Sequence, residues 1–303
     1  MFKAIKALTW LLFFGCMLSE AQGAIQLFVS NQGDNTIRKV DSTGTQTVFF
    51  SGGGIDKPQQ LAFDALGNLL VVNYENGWVQ KISATGQDLG GFSTGLSRTY
   101  GLAIDSLGNI LVSSFDNSSI KKFSPMGTDL GIFGPAPANQ TGFLGLAFDT
   151  GGNLYVANNT FGNIHKISPT GQDLGIFVST GPIAPTALAF DSSGNMLVSF
   201  GFGMTIRRYS SSGQDLGVFA SGFDFDGLAL DADDNLFAAK INAGGIQKFT
   251  ASGLDLGEFS GGFSTPTFIT LQNSPVPEPG SLLLFGSLFA GLFYQAQRAK
   301  RGS

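Results

Sequence analysis

LAFDALGNLLVVN, residues 61–73, reads as two short apolar strands joined by a tight Asp-x-x-Gly-Asn turn. The pattern returns as LAIDSLGNILVSS from Leu102, LAFDTGGNLYVAN from Leu146, LAFDSSGNMLVSF from Leu188 and LALDADDNLFAAK from Leu228. Asp64, Asp105, Asp149, Asp191 and Asp231 mark the same point in each copy, at spacings of 41, 44, 42 and 40 residues. A period near 40 residues is that of a propeller blade.

Each copy carries four strand-like runs, typified by LAFD, NLYVA, IHKIS and DLGIF, and four strands make one blade. In the first turn a glycine supplies positive φ while the aspartate accepts backbone N–H groups. In the second, Ser168-Pro169-Thr170-Gly171, proline presets the φ that a type I or II turn needs. The ends complete each other. Residues 25–50 hold the later strands of a blade without its leading one, and Pro266-Thr267-Phe268-Ile269-Thr270-Leu271 aligns with Pro185-Thr186-Ala187-Leu188-Ala189-Phe190. The expectation is an all-β, six-bladed propeller of four-stranded blades, closed by a C-terminal strand that completes the N-terminal blade. Closure removes exposed sheet edges, so truncation at either end of the body is expected to destabilise it severely.

The chain has 303 residues, 43% apolar and 13% charged, with 43 glycines and 29 phenylalanines. Such a composition favours turns and aromatic-packed strands over helices. Cys16 is the only cysteine, so no intramolecular disulfide is possible and stability must come from burial and sheet hydrogen bonds. Residues 24–275 carry 20 acidic and 12 basic side chains, a net charge of −8 that disfavours nucleic acid and anionic membrane surfaces as partners.

Residues 1–23 read as a signal peptide: Lys3 and Lys6, an apolar run over 7–18, then the small-x-small pair Ala21 and Gly23. The alternative, a lipoprotein with Cys16 as the lipidated residue, is disfavoured by Phe13 and Phe14 before it. Domain boundaries are accordingly expected at 1–23 for the signal, 24–274 for the propeller and 275–303 for a distinct tail.

Gly-Asn-Leu-Tyr-Val-Ala-Asn at 152–158 and Ile-x-Lys-Ile-Ser-Pro-Thr-Gly at 164–171 resemble the repeats of six-bladed NHL-type propellers over about residues 25–272. This resemblance is specific for architecture and weak for activity, since the fold hosts binding proteins, lactonases and lyases alike. The tail has its own pattern: Val276-Pro277-Glu278-Pro279, an apolar run of 13 residues from Leu282 to Tyr294, then Arg298, Lys300 and Arg301. It resembles the PEP-CTERM sorting signal of Gram-negative bacteria, which implies processing by an exosortase, a short C-terminal membrane helix, at least transient membrane contact, and an envelope or extracellular-matrix destination. The two prolines keep the box extended, as a processing site requires. Strictly counted, the apolar run falls short of the roughly 20 residues that span a bilayer. A terminal helix packed on the body is the alternative reading.

Residues that recur in every blade are expected to build blades. Turn capping accounts for the five aspartates better than a metal ring does. Lys39, Lys81, Lys122, Lys166, Arg208 and Lys248 occupy one aligned position, where each is expected beside a carboxylate; an anion-binding channel is the alternative. His165, the only histidine, aligns with Arg38, Gln80, Lys121, Arg207 and Gln247 and reads as a surface residue. With one histidine, and no cysteine after residue 16, Cys/His zinc sites and Ser-His-Asp or Cys-His nucleophiles cannot be assembled. Asp231 to Asn235 lacks the ligand order of a calcium loop.

Strand alternation puts both regular turns on one face and the variable loops on the other, which is the candidate working face. It carries Tyr74, Glu75, Trp78, Arg98, Tyr100, Phe115, Asp116, Phe161 and Phe202, aromatic platforms and polar groups suited to stacking on sugars. The reading is a noncatalytic, exported propeller that binds or builds the extracellular polysaccharide matrix, with no metal site and no catalytic residue assigned. The alternative is a lactonase- or lyase-like enzyme using a divalent cation at the channel mouth, for which Glu75 and Glu258 are the only glutamates of the body. A receptor ectodomain is weaker, because no signalling domain is evident.

Overall fold

In the computed structural model, residues 25–116, 119–134 and 141–272 are described. They form six four-stranded antiparallel sheets. Blade one takes its innermost strand, Pro266–Gln272, from the far end of the chain, followed outward by Gln26–Asn31, Thr36–Val40 and Gln46–Ser51. Blades two to six begin with Pro58–Phe63, Thr99–Ile104, Phe143–Phe148, Leu188–Phe190 and Phe225–Leu230, each followed outward by its next three strands in sequence order. The closing pair is antiparallel, with Leu27 opposite Leu271 and Val29 opposite Ile269. The ring therefore shuts as the split repeat predicts.

The second strand of each blade is buried on both faces, which is why it reads as a nearly continuous apolar run such as LLVVN at 69–73. One apolar cluster fills each gap between neighbouring blades. Between blades one and two, for example, Phe28 meets Phe49 and Phe63 edge-on at ring-centroid distances of 4.8 and 5.0 Å. Such edge-to-face pairs add about 0.5–1.5 kcal/mol each beyond burial.

The turn aspartates cap, as expected. Asp64 accepts the N–H groups of Leu66 and Asn68 at 2.9 and 2.8 Å, and Asn68 closes the loop by donating its side-chain amide to the same carboxylate. The equivalents recur at Asp105, Asp191 and Asp231. Gly67, Gly108, Gly152 and Gly194 occupy the left-handed position of this turn, and in the sixth blade Asp234 takes it at φ 58°. Asp234 there accepts from the Ser192 N–H at 2.9 Å and the Ser192 hydroxyl, tying blade six to blade five.

The aligned cations do not face the channel. They lie on third strands, where Lys81 and Lys122 pair with Asp64 and Asp105 at 2.8 Å, and Lys166 and Arg208 lie 3.8 and 3.7 Å from Asp149 and Asp191. Several also cover the phenylalanine of the fourth strand, as Arg208 does over Phe219 at 4.7 Å. Among the described residues Lys39 and Lys248 have no ion pair and lie over rings instead, Lys39 over Phe28 and Lys248 over Phe237 and Phe259; in Lys39's blade the inner strand ends in Gln272, where the others place aspartate.

Two expectations are corrected. His165 is buried rather than on the surface: its ring packs near Phe143 and lies 3.7 Å from Asp173. The aligned Gln80, Arg207 and Gln247 likewise reach the aspartate that opens the fourth strand, at Asp88, Asp215 and Asp255. Four different donors, Gln80, Lys121, Arg207 and Gln247, bond that aspartate, whereas the His165 ring only lies near it, so the slot varies in type while remaining largely buried. The short C-terminal membrane helix is not part of the described fold. Among the described residues the fold is all-β apart from one 3-10 turn, Gln32–Asp34, and no helix is long and apolar enough to cross a membrane. An apolar run of 13 residues is too short for that task. Residues 1–24 and 273–303, on which the signal and tail were placed, lie outside the described residues.

Candidate functional site

On the face of variable loops, the channel opens into a cavity of about 340 Å³. Its geometry starts from a shared irregularity in the innermost strands. In blades two, three, four and six the register slips at the same point, as between Thr99 and Leu102, so that two residues oppose one on the neighbouring strand. Such a bulge re-aims side chains, here toward the axis. The upper slot holds Gln59, Tyr100, Leu144, Thr186, Asp226 and Thr267 in blade order from two round to one; the lower holds Gln60, Gly101, Gly145, Ala187, Gly227 and Phe268.

The lower slot fills the axis. Gln60 reaches across blade three, accepting from the Leu102 and Leu146 N–H groups at 3.1 and 3.0 Å and donating to the Leu146 carbonyl at 2.8 Å. Glycine elsewhere in the slot lets neighbouring blades approach closely, because a Cβ on Gly101 would lie 2.3 Å from the Leu144 carbonyl oxygen and one on Gly227 would lie 2.4 Å from the Phe268 Cα. The upper slot then forms the floor of the mouth. Tyr100 of blade three crosses to blade six and donates its hydroxyl to the Asp226 carboxylate, 3.1 and 3.3 Å from the two oxygens. Its ring stands edge-on to Phe268 at 5.4 Å.

Asp226 is 3% exposed. Burial pushes its carboxyl up to about 7, with the nearby Asp224 adding to the rise and the Tyr100 hydroxyl opposing it. Burial raises Asp224 as well, and burial together with Asp226 holds the Tyr100 phenol well above its ordinary value. Asp224 accepts from the Asn242 amide. It occupies the space left by Gly201, where a Cβ would come within 2.9 Å of its oxygen. A second cavity of about 400 Å³ shares Gly201, Phe202 and Asp224 and runs outward past Met204 and Asn242. The mouth thus continues as a groove between blades five and six.

Of the residues expected on this face, Tyr74, Tyr100, Phe115 and Phe202 line the mouth together. Phe202 is 95% exposed and stands between the two cavities. The others lie outside this lining. Glu75 forms an ion pair with Lys57, Arg98 pairs with Asp116 at 3.4 Å, and Asp116 also accepts the Ser97 hydroxyl. Trp78 belongs to the third strand of blade two and lies against Gly54 and Gly91, while Phe161 is half exposed away from the mouth. Val276, Pro277, Glu278 and Pro279 fall outside the described residues. Sequence reading missed Asp224, Asp226, Thr186 and Asn159. The available signal was Asp226 itself, an acidic residue in a slot that is uncharged in every other blade. Among the described residues, no group of three or more His, Cys, Asp or Glu is arranged to hold a metal.

No protein-family model and no curated protein matches the chain. Solved structures match its fold. A nidogen/laminin complex contains a chain that aligns with a TM-score of 0.72 at 16% identity, covering 84% of this chain and 100% of that one. A streptogramin B lyase gives 0.64 at 17%, covering 82% and 87%. A catalytically inactive virginiamycin B lyase from Staphylococcus aureus, solved with quinupristin, gives 0.61 at 15%, covering 79% and 85%. At these identities the shared property is the propeller itself, found in a nidogen/laminin complex in one case and in lyases in the others.

Proposed function

We propose that the body is an exported, noncatalytic binding propeller of a bacterial extracellular polysaccharide matrix, taking a saccharide at the channel mouth. The observation that carries this reading is the mouth cavity itself: Tyr74, Tyr100, Phe115 and Phe202 wall a space of about 340 Å³ over a polar floor. Aromatic faces with a few polar groups are what a sugar ring offers complementarity to, and the groove past Phe202 gives a chain of sugars somewhere to run. The PEP-CTERM-like box Val276-Pro277-Glu278-Pro279 supports the destination, with an exosortase as processing partner and the envelope or matrix of a Gram-negative bacterium as the site of action. Glycan-array binding and matrix pull-down test the reading. Retention of an oligosaccharide that is lost on replacing Tyr74 and Phe202 by alanine is expected; no retention on any array glycan overturns it.

A second reading, a lactonase- or lyase-like enzyme with a divalent cation at the mouth, draws support from the Asp226 carboxyl near 7, a value suited to proton transfer at neutral pH. Turnover of a lactone dependent on a bound divalent ion and abolished in Asp226→Asn would favour it over the binding reading.

A further inference from the structure

Asp226 presents a chemical problem that the saccharide reading leaves unsolved. A carboxylate 3% exposed ordinarily has a cation beside it, because removing a lone charge from water is expensive. Among the described residues no lysine, arginine or histidine pairs with Asp226 or Asp224, and none lines the mouth. Lys240, in the strand next to Asp226, is turned away to Glu258 at 2.6 Å and lies over the ring of Phe223. The titratable groups that face Asp226 are Tyr100, Asp224 and, further off, Tyr74, all of which are neutral or negative. Whenever Asp226 ionises, the site lacks one positive charge.

The walls say which kind of charge fits. A calcium ion takes six to eight oxygen ligands and gains nothing from aromatic rings. The mouth offers two carboxylates, the side chains of Thr186 and Asn159, and otherwise Tyr74, Tyr100, Phe115, Phe202, Leu144 and Ile241. An organic ammonium suits that set: it donates to a buried carboxylate by charge-assisted hydrogen bonds and is attracted to ring faces. Resting on the saccharide reading, we infer that the mouth selects a ligand bearing a protonated amine, an amino sugar with a free ammonium group, with Asp226 as its counter-charge and Asp224 as the second acidic contact.

Titration calorimetry on the intact chain with the tetramer of glucosamine, the tetramer of N-acetylglucosamine and cyclohexylammonium tests it. The expected result is at least tenfold tighter binding of the free-amine tetramer than of its acetylated form. Proton release at pH 6.5, read from runs in buffers of different ionisation enthalpy, should accompany it, and Asp226→Asn should remove both. Asp224→Asn, whose backbone lies in a loop rather than on the axis, should weaken binding severalfold and serves if the first variant misfolds. Equal binding of both tetramers overturns the amine inference and leaves the saccharide reading standing. Asp226-dependent binding of cyclohexylammonium with neither tetramer bound supports the ammonium counter-charge at Asp226 but overturns the amino-sugar identity together with the saccharide reading. Silence from all three probes, or calcium binding that depends on Asp226 while the amines are ignored, overturns the inference.

Discussion

The turn face and the mouth face of this propeller are the two ends of the same strands, yet the turn aspartates and the buried aspartate of the mouth behave oppositely. On the turn face each aspartate is met by backbone N–H groups, an asparagine amide and, in most blades, a lysine or arginine. Burial alone would raise Asp64 and Asp105; the hydrogen bonds from Lys81 with Asn68, and from Lys122 with Asn109, outweigh it and hold both below their ordinary value. On the mouth face Asp226 has one tyrosine hydroxyl, and burial wins. The difference teaches where the molecule spends stability. Turn aspartates strengthen the ring, whereas the mouth aspartate weakens it unless protonated or met by a cation.

That contrast gives the largest expected effect. Asp226 binds its proton more tightly folded, near 7, than unfolded, near 3.8, so the native state holds the extra proton between those values. Stability on this account falls as pH rises from about 4 to about 7 and is level above that. A displacement from 3.8 to about 7 corresponds to up to about 4 kcal/mol. Asp226→Asn keeps an acceptor for Tyr100 and removes the charge, so it should raise the melting temperature at pH 8 and leave it unchanged at pH 4. A variant no more stable than the parent at pH 8 would erase the distinction between the faces. Asp64 and Asp105 act in the other direction: the stability they give is present above their unfolded values and is lost as pH falls below about 4. Thermal melts across pH should peak between these windows.

How much of this was legible depends on whether a residue repeats. The blades, their number and the closing strand could be read because Leu-Ala-Phe-Asp and Gly-Asn recur, and packing in a ring demands the same residue type at each equivalent point. Tyr74, Tyr100, Phe115 and Phe202 stood out as aromatic interruptions in loops. Asp226 did not, because the channel slot has no residue type in common across blades: Gln59, Tyr100, Leu144 and Thr186 share a position and nothing else. What makes Asp226 unusual is Tyr100 from the opposite side of the ring, 126 positions away, and no local pattern encodes that meeting. His165 was misread for a related reason, since its aligned residues vary in type while four of them, Gln80, Lys121, Arg207 and Gln247, share a partner, the aspartate that opens the fourth strand.

A smaller effect belongs to the turns. Asp105→Ala removes the acceptor for Leu107 and Asn109 and the partner of Lys122. Each turn is partly exposed, so water can replace the lost bonds, and about 1 kcal/mol of destabilisation is expected. Asp105 and Asp231 belong to blades three and six, on opposite sides of the ring, and the double variant should lose the sum of the two singles. Denaturant melts read this directly; a loss well beyond the sum would mean that the ring closes more cooperatively than independent turns allow.

Phe202 is where stability and binding part company altogether. At 95% exposed it contributes almost no burial to the fold, and a large apolar ring left in water is a standing liability for association. Phe202→Ala should therefore move the melting temperature by no more than about 0.5 kcal/mol equivalent, the range of ordinary surface changes. It should nonetheless weaken oligosaccharide binding by about tenfold, the loss expected when one stacking ring worth roughly 1–3 kcal/mol is removed from a site. Both quantities come from one preparation, melting followed by titration. Unchanged melting with unchanged binding would move the ligand off the groove between blades five and six and confine it to Tyr74, Tyr100 and Phe115 around the axis. Unchanged melting with lost binding would place a sugar across Phe202, where the ring that the fold does not need is the one the ligand does.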